Sequence, residues 1–148
     1  MLRVFVDTSV LFTAVYSSTG AARDLIRLAL RGKVKLLVSQ DVLDEVERNL
    51  AKKVPQVIPV YHVFLATLAL ELIPLPSRAA VHEAEAYVAA KDAMIIAAAI
   101  LAQPDYLVTY DRKHLLDRPE VAARSGLVIV TPDAVVQAVH NAEDTPDD

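Results

Sequence analysis

The chain has 148 residues, 54% of them hydrophobic, and a formal net charge of −4 from 15 Lys and Arg against 19 Asp and Glu. This length and apolar content suit one domain with a full core and exclude a disordered or solvating chain. Glu143, Asp144, Asp147 and Asp148 crowd the C-terminal "EDTPDD"; the rest is neutral and lacks the basic excess usual in nucleic-acid-binding proteins.

In chain order, short β-branched or apolar runs alternate with helical patterns, as in a parallel α/β sheet. The strands are expected at Leu2–Val6, Val34–Val38, Glu71–Ile73, Tyr106–Val108 and Leu127–Val130. A helix is expected from Ala21 to Leu30, closed by Gly32, and another from Asp41 to Lys52 with Val42, Val46 and Leu50 on one face. Pro55 and Pro59 interrupt the chain before an apolar helix at Val60–Leu70. After Pro74 and Pro76 the pattern is helical from Arg78 to Ala90, and then comes "KDAMIIAAAILA", Lys91–Ala102, apolar on every face. Its unbroken apolar run, Ala93–Ala102, is half the length of about 20 residues that a membrane span requires, so a buried helix is expected. Thr131 before Pro132 is a helix start, a cap followed by proline at the first helical position. Residues 141–148 are expected to form an acidic, flexible tail outside a domain of residues 1–140. The absence of cysteine excludes disulfides and thiolate zinc sites; with no basic-then-apolar leader at the N-terminus, a cytoplasmic protein that binds no membrane is expected. Only three glycines are present and no GxGxxG or GxxxxGK[ST] occurs, which argues against nucleotide binding of those kinds.

One acid stands inside the first apolar run, "VFVDTSVLF". An ionised carboxylate buried without a partner costs several kcal/mol or more, so Asp7 requires a cation, backbone N–H groups or a metal. Open parallel sheets form their sites beyond the carboxyl ends of the strands. Asp7 falls at the end of the first strand, and Asp111 falls three residues after Val108, at the end of the fourth. Each could equally cap the helix that follows. Asp92 opens the apolar helix, where it either caps the N-terminus or lies close to the same crevice. In "SQDVLDEVERNL", Glu45 and Glu47 flank opposite edges of the apolar stripe, and helical geometry does not choose between them.

Taken together, "VFVDTSVLFTA", "SQDVLDEVERNL" and "KDAMIIAAAILAQPDYLVTYDRKHL" resemble the motifs of the PIN-domain ribonucleases, in order and over nearly the whole chain. The resemblance implies a Rossmann-like, three-layer α/β/α fold around a mainly parallel five-stranded sheet. It implies that Asp7, Glu45, Asp92 and Asp111 are catalytic and hold one or two Mg²⁺ or Mn²⁺ ions, selecting Glu45 over Glu47. Ser9 and Thr109 would orient the attacking water or the substrate. The resemblance also implies RNA as substrate, and the size suggests a toxin of a type II toxin–antitoxin pair with a cognate antitoxin and a homodimeric state. Lys91, Arg112 and Lys113 are candidate RNA-binding residues near the acids, and Tyr110 is either a base-stacking or a buried ring. His114 reads as packing. The competing function is a non-catalytic PIN-like scaffold for RNA or protein. An aspartate-nucleophile phosphatase is disfavoured, because Ser9 stands where it would need a second Asp.

Overall fold

The computed structural model describes residues 1–144. Its centre is a five-stranded sheet made of β1 (Leu2–Val6), β2 (Val34–Ser39), β3 (Glu71–Ile73), β4 (Tyr106–Val108) and β5 (Ile129–Val130), in the order β3-β2-β1-β4-β5. Every pairing is parallel, with Phe5 opposite Leu37 on one side and opposite Leu107 on the other. The expectation of a mainly parallel sheet is met in full. β1 is the middle strand and is covered on both faces, so Val4, Phe5 and Val6 are at most 1% exposed. This explains why the run is continuously apolar rather than alternating.

Parallel neighbours require crossovers, and crossovers are right-handed. The helices α1 (Thr8–Tyr16), α2 (Ala21–Leu30), α3 (Gln40–Lys53) and α4 (Ile58–Thr67) therefore lie on one face of the sheet. The chain then reverses direction, and α5 (Arg78–Glu85), α6 (Ala90–Ala102) and α7 (Pro119–Ser125) cover the other face, while α8 (Pro132–Asp144) returns to pack on α2. Three layers result. The reversal sits between β1 and β4, whose carboxyl ends splay to either side and leave a crevice.

The structure refines several expected boundaries. The expected helix Arg78–Ala90 ends at Glu85, and Ala89 adopts an extended conformation (φ −61°, ψ 147°) before α6 begins at Ala90. No glycine or proline marks that break. Tertiary packing imposes it, with Tyr87 held under the Arg124 guanidinium 4.9 Å from its ring centre. Pro59 lies inside the first turn of α4 rather than before the helix, because proline lacks only an N–H that would be unpaired there. Helix α1 was implied only by reading Asp7 as a cap and was given no limits, since its nine residues carry no charge to mark a helical period. Residues 141–144 of the expected acidic tail continue α8, and Glu143 pairs with Lys33 at 3.2 Å. The rest of that expected tail, 145–148, lies outside the described residues.

Helix α3 starts at a buried cap. Ser39, 5% exposed, accepts a hydrogen bond from the Val42 amide at 3.3 Å. Ser39→Ala should cost about 0.5–2 kcal/mol and lower the melting temperature by about 2–4 °C per kcal/mol. Thermal melts of the two proteins check this, and an unchanged midpoint would show that the cap contributes nothing.

Candidate active site

The crevice is built outward from Asp7. The amide of Asp7 donates to the Val108 carbonyl at 3.1 Å, extending the β1–β4 ladder by one residue and fixing where the carboxylate begins. Its backbone is extended (φ −76°, ψ 160°), so it caps α1, with Oδ1 accepting from the Thr8 amide at 2.8 Å. Oδ2 accepts from the Thr109 hydroxyl at 2.7 Å and from Ser9 Oγ at 3.4 Å. Asp7 is 8% exposed, and burial pushes its carboxyl pKa above the ordinary value. The Thr109 and Thr8 hydrogen bonds pull the other way, while the charges of Glu45 and Asp92 add to the upward push. Asp7 thus both caps a helix and faces the crevice. The two readings of the sequence are compatible, because Oδ1 accepts at the start of the helix and the same residue lines the crevice.

Thr109 is fully buried and ties the two strand ends together. Its hydroxyl donates to Asp7 and accepts from the Asp111 amide at 3.0 Å. Ser9 Oγ accepts from the Tyr110 amide at 3.0 Å. Both hydroxyls therefore fix the turn that carries Asp111. The Tyr110 side chain is 38% exposed, so it is not the buried ring that was one expectation, and it does not line the crevice. Asp111 caps a π-type turn, Arg112–Leu116, and Oδ1 accepts from the His114 amide at 3.0 Å.

Asp92 is the third residue of α6 and does not cap it, since Ala89 occupies the cap position and no side chain bonds there. Its Oδ1 lies 3.4 Å from Lys91 Nζ, and its Oδ2 is buried without any hydrogen-bond partner. The positive end of α6 favours an anion at this position. Glu45 reaches the crevice from α3, with Asn49 and Lys53 one and two turns further along the same face, whereas Glu47 is exposed elsewhere on the helix. The crevice has a volume of about 310 Å³, and Asp7, Glu45, Asp92 and Asp111 all line it, together with Thr8, Ser9, Phe12, Asn49, Lys53 and Lys91.

Of the candidate RNA-binding cations, only Lys91 lines the crevice. Arg112 is turned to Asp117 at 3.7 Å, and Lys113 is exposed outside it. Asn49 was not among the expected site residues and Lys53 was expected only as a base further from the acids, although spacings of four and eight from Glu45 place them on its helical face. His114 was assigned to packing, yet its Nδ1 lies 3.1 Å from Asp111 Oδ2.

The acids fit a hard divalent cation by their chemistry, being oxygen donors with no thiolate among them. Two orphaned atoms sharpen the fit. Asp92 Oδ2 and Thr8 Oγ1 are both buried and unpartnered, and both residues line the crevice. Such groups cost about 1–3 kcal/mol when nothing compensates them.

An all-parallel α/β domain with its acids gathered at the strand-order reversal defines the class. Within that class the sequence matches the PIN domain over residues 3–113, and the chain belongs to the PIN-domain family. No curated protein sequence matches it significantly. Among solved structures it is similar to a chain of VapBC2 from Rickettsia felis, bound to a DNA fragment from their promoter, with a TM-score of 0.65 at 18% identity, covering 86% of this chain and 97% of that one. It is likewise similar to a chain of FitAcB from Neisseria gonorrhoeae, with a TM-score of 0.60 at 16% identity over 87% of this chain and 97% of that one. PAE2754 from Pyrobaculum aerophilum matches with a TM-score of 0.65 at 17% identity over 95% and 90% of the two chains. At these identities the likeness is one of fold.

The raised pKa of Asp7 has a definite consequence for the metal-free protein. A carboxyl whose folded pKa exceeds the unfolded value of about 3.9 holds its proton more tightly when folded, so ionising it lowers stability. Its contribution is present at low pH and is lost as pH rises through the folded pKa. Asp7→Asn, which can still accept from Thr8 and donate to Thr109, should therefore melt above wild type at about pH 7 in chelator. The gap should close as pH falls toward about 4. Melting curves across that range check both sign and slope, and an Asn variant melting lower at neutral pH would overturn the sign.

Proposed function

We propose that the protein is a metal-dependent endoribonuclease acting in the cytoplasm as the toxin of a toxin–antitoxin pair. The observation that carries this reading is the convergence of Asp7, Glu45, Asp92 and Asp111, from four separate elements, on one crevice that also holds an unpartnered carboxylate oxygen. PIN domains are generally nucleases, which supports the reaction class. The likeness of fold to chains of VapBC2 and FitAcB supports the toxin setting and an antitoxin partner; the proposal adds that the antitoxin covers the crevice and that the chain forms a homodimer.

In this reading Asp7, Asp92 and Asp111 hold Mg²⁺ or Mn²⁺, one ion or two, with Glu45 binding directly or through water. The bound ion supplies a water of lowered pKa and stabilises charge on the departing oxygen. The chain's own residues do the remaining work. Thr109 and Ser9 hold Asp7 and the Asp111 turn in register, so the two carboxylates keep their spacing. Lys91 at the first turn of α6 and Lys53 on α3 face the crevice and offset the negative field that would repel an RNA phosphate. Phe12, whose ring centre lies 5.6 Å from Lys53 Nζ, offers an apolar wall to the crevice.

Two outcomes are expected. Glu45→Gln should lower RNA cleavage at least about tenfold while Glu47→Gln cleaves like wild type; the reverse order would move the fourth acid to the other face of α3. Mn²⁺ at about a hundredfold over its Kd should add roughly 2.7 kcal/mol of stability, or about 5–10 °C in melting temperature, and Asp92→Asn should flatten that rise. If calorimetry detects no Mn²⁺ binding to the wild type, even with RNA present, the catalytic reading gives way to a binding scaffold.

A further inference from the structure

His114 is placed with more care than packing needs. The turn that follows β4 closes with wide hydrogen bonds, Leu116 N to Asp111 O at 3.0 Å and Asp117 N to Arg112 O at 2.8 Å. Such π-type turns are rare and gather at functional sites. Capping this turn requires only the His114 amide on Asp111 Oδ1. The ring adds a second contact, with Nδ1 3.2 Å from Oδ1 and 3.1 Å from Oδ2. Donor atoms of Asp92, Asp111 and His114 all lie within 4.8 Å of one another, although they come from two elements far apart in sequence. Independently, the buried Thr8 hydroxyl has no partner, and Thr8, only 6% exposed, is one of the residues lining the crevice.

We propose that the His114 imidazole is a nitrogen ligand to the cation held by Asp92 and Asp111, and that it shifts the centre from Mg²⁺ toward first-row transition ions such as Mn²⁺. The inference rests on reading the crevice as a divalent-cation centre, and adds to it the nitrogen donor and the metal class. Mg²⁺ prefers oxygen and water and yields them reluctantly, whereas transition ions accept imidazole. His114 Nδ1 stands 3.1 Å from Asp111 Oδ2, close enough that one cation would be held by both groups. Without a cation, the same approach is satisfied by an Nδ1–H donated to the carboxylate. With one, the ring carries its hydrogen on Nε2.

Pulsed EPR of Mn²⁺ bound to the full chain tests this, read alongside Mn²⁺ and Mg²⁺ affinities from competition titrations. Wild type should show ¹⁴N coupling from an imidazole. His114→Asn keeps a side-chain N–H donor toward Asp111 but removes the imidazole. It should lose that coupling and bind Mn²⁺ about tenfold or more weakly, with Mg²⁺ affinity changed less than about twofold. Mn²⁺ bound to wild type without ¹⁴N coupling overturns the proposal and leaves the acid centre standing; so does a His114→Asn variant with an unchanged Mn²⁺ to Mg²⁺ preference. No Mn²⁺ bound to wild type at all overturns the centre itself. The wild-type spectrum decides the matter even if the variant fails to fold.

Discussion

The carboxylate of Asp7, buried at the end of the middle strand, sets the terms for everything around it. A charge in that position is expensive, and the chain surrounds it with donors drawn from both sides of the strand-order reversal: Thr8 from the start of α1, and Thr109 from beyond β4. Those donors do not remove the cost, since burial still raises the pKa of the group. The apo crevice is therefore a site under electrostatic tension, with a destabilised carboxylate, like charges nearby and an orphaned oxygen on Asp92. Tension of this kind is relieved by protonation of a carboxylate or by a bound cation. It also explains why the surrounding scaffold is so rigidly apolar, because only a well-packed core holds repelling acids in place.

Much of this arrangement is legible in the sequence. The runs Leu2–Val6, Glu71–Ile73 and Tyr106–Val108 are strands with the expected limits, and Ala21–Leu30 is a helix with the expected limits. These segments are legible because local pattern and tertiary environment agree. Thr131 and Pro132 likewise start α8 where their chemistry requires. The limits of helix α1 are the clearest failure, because its polarity rests on hydroxyls, among them those of Thr8, Ser9 and Thr13, and no charge marks its period. The break between Glu85 and Ala90 is hidden for a different reason: it is made by packing around Tyr87 and leaves no breaker residue in the chain.

For the site, position at strand ends picks out Asp7 and Asp111, but the pattern cannot say whether they are caps or ligands. The structure dissolves that choice for Asp7, whose two oxygens face different groups, and rejects capping for Asp92. Glu45 could be chosen from Glu47 only by resemblance, since both lie beside the apolar stripe; the crevice reaches only the face that Glu45 shares with Asn49 and Lys53. His114 was read as packing, although it alone of the four histidines stands near the acids in sequence. A spacing of three from Asp111 means nothing until the intervening turn is known to be wide.

The pairing of β1 with β4 joins Phe5 to Leu107, across most of the chain. During synthesis β1 leaves the ribosome early, yet its partner on that side follows only after some hundred further residues, several seconds later at about 5–20 residues per second. Asp92 and Asp111 arrive with it. A nascent chain can thus build α1 to α4 around β1, β2 and β3 while half of its acids are still unmade. The crevice closes only once β4 has joined β1, so whatever chemistry it performs is withheld until Asp92 and Asp111 have both been made.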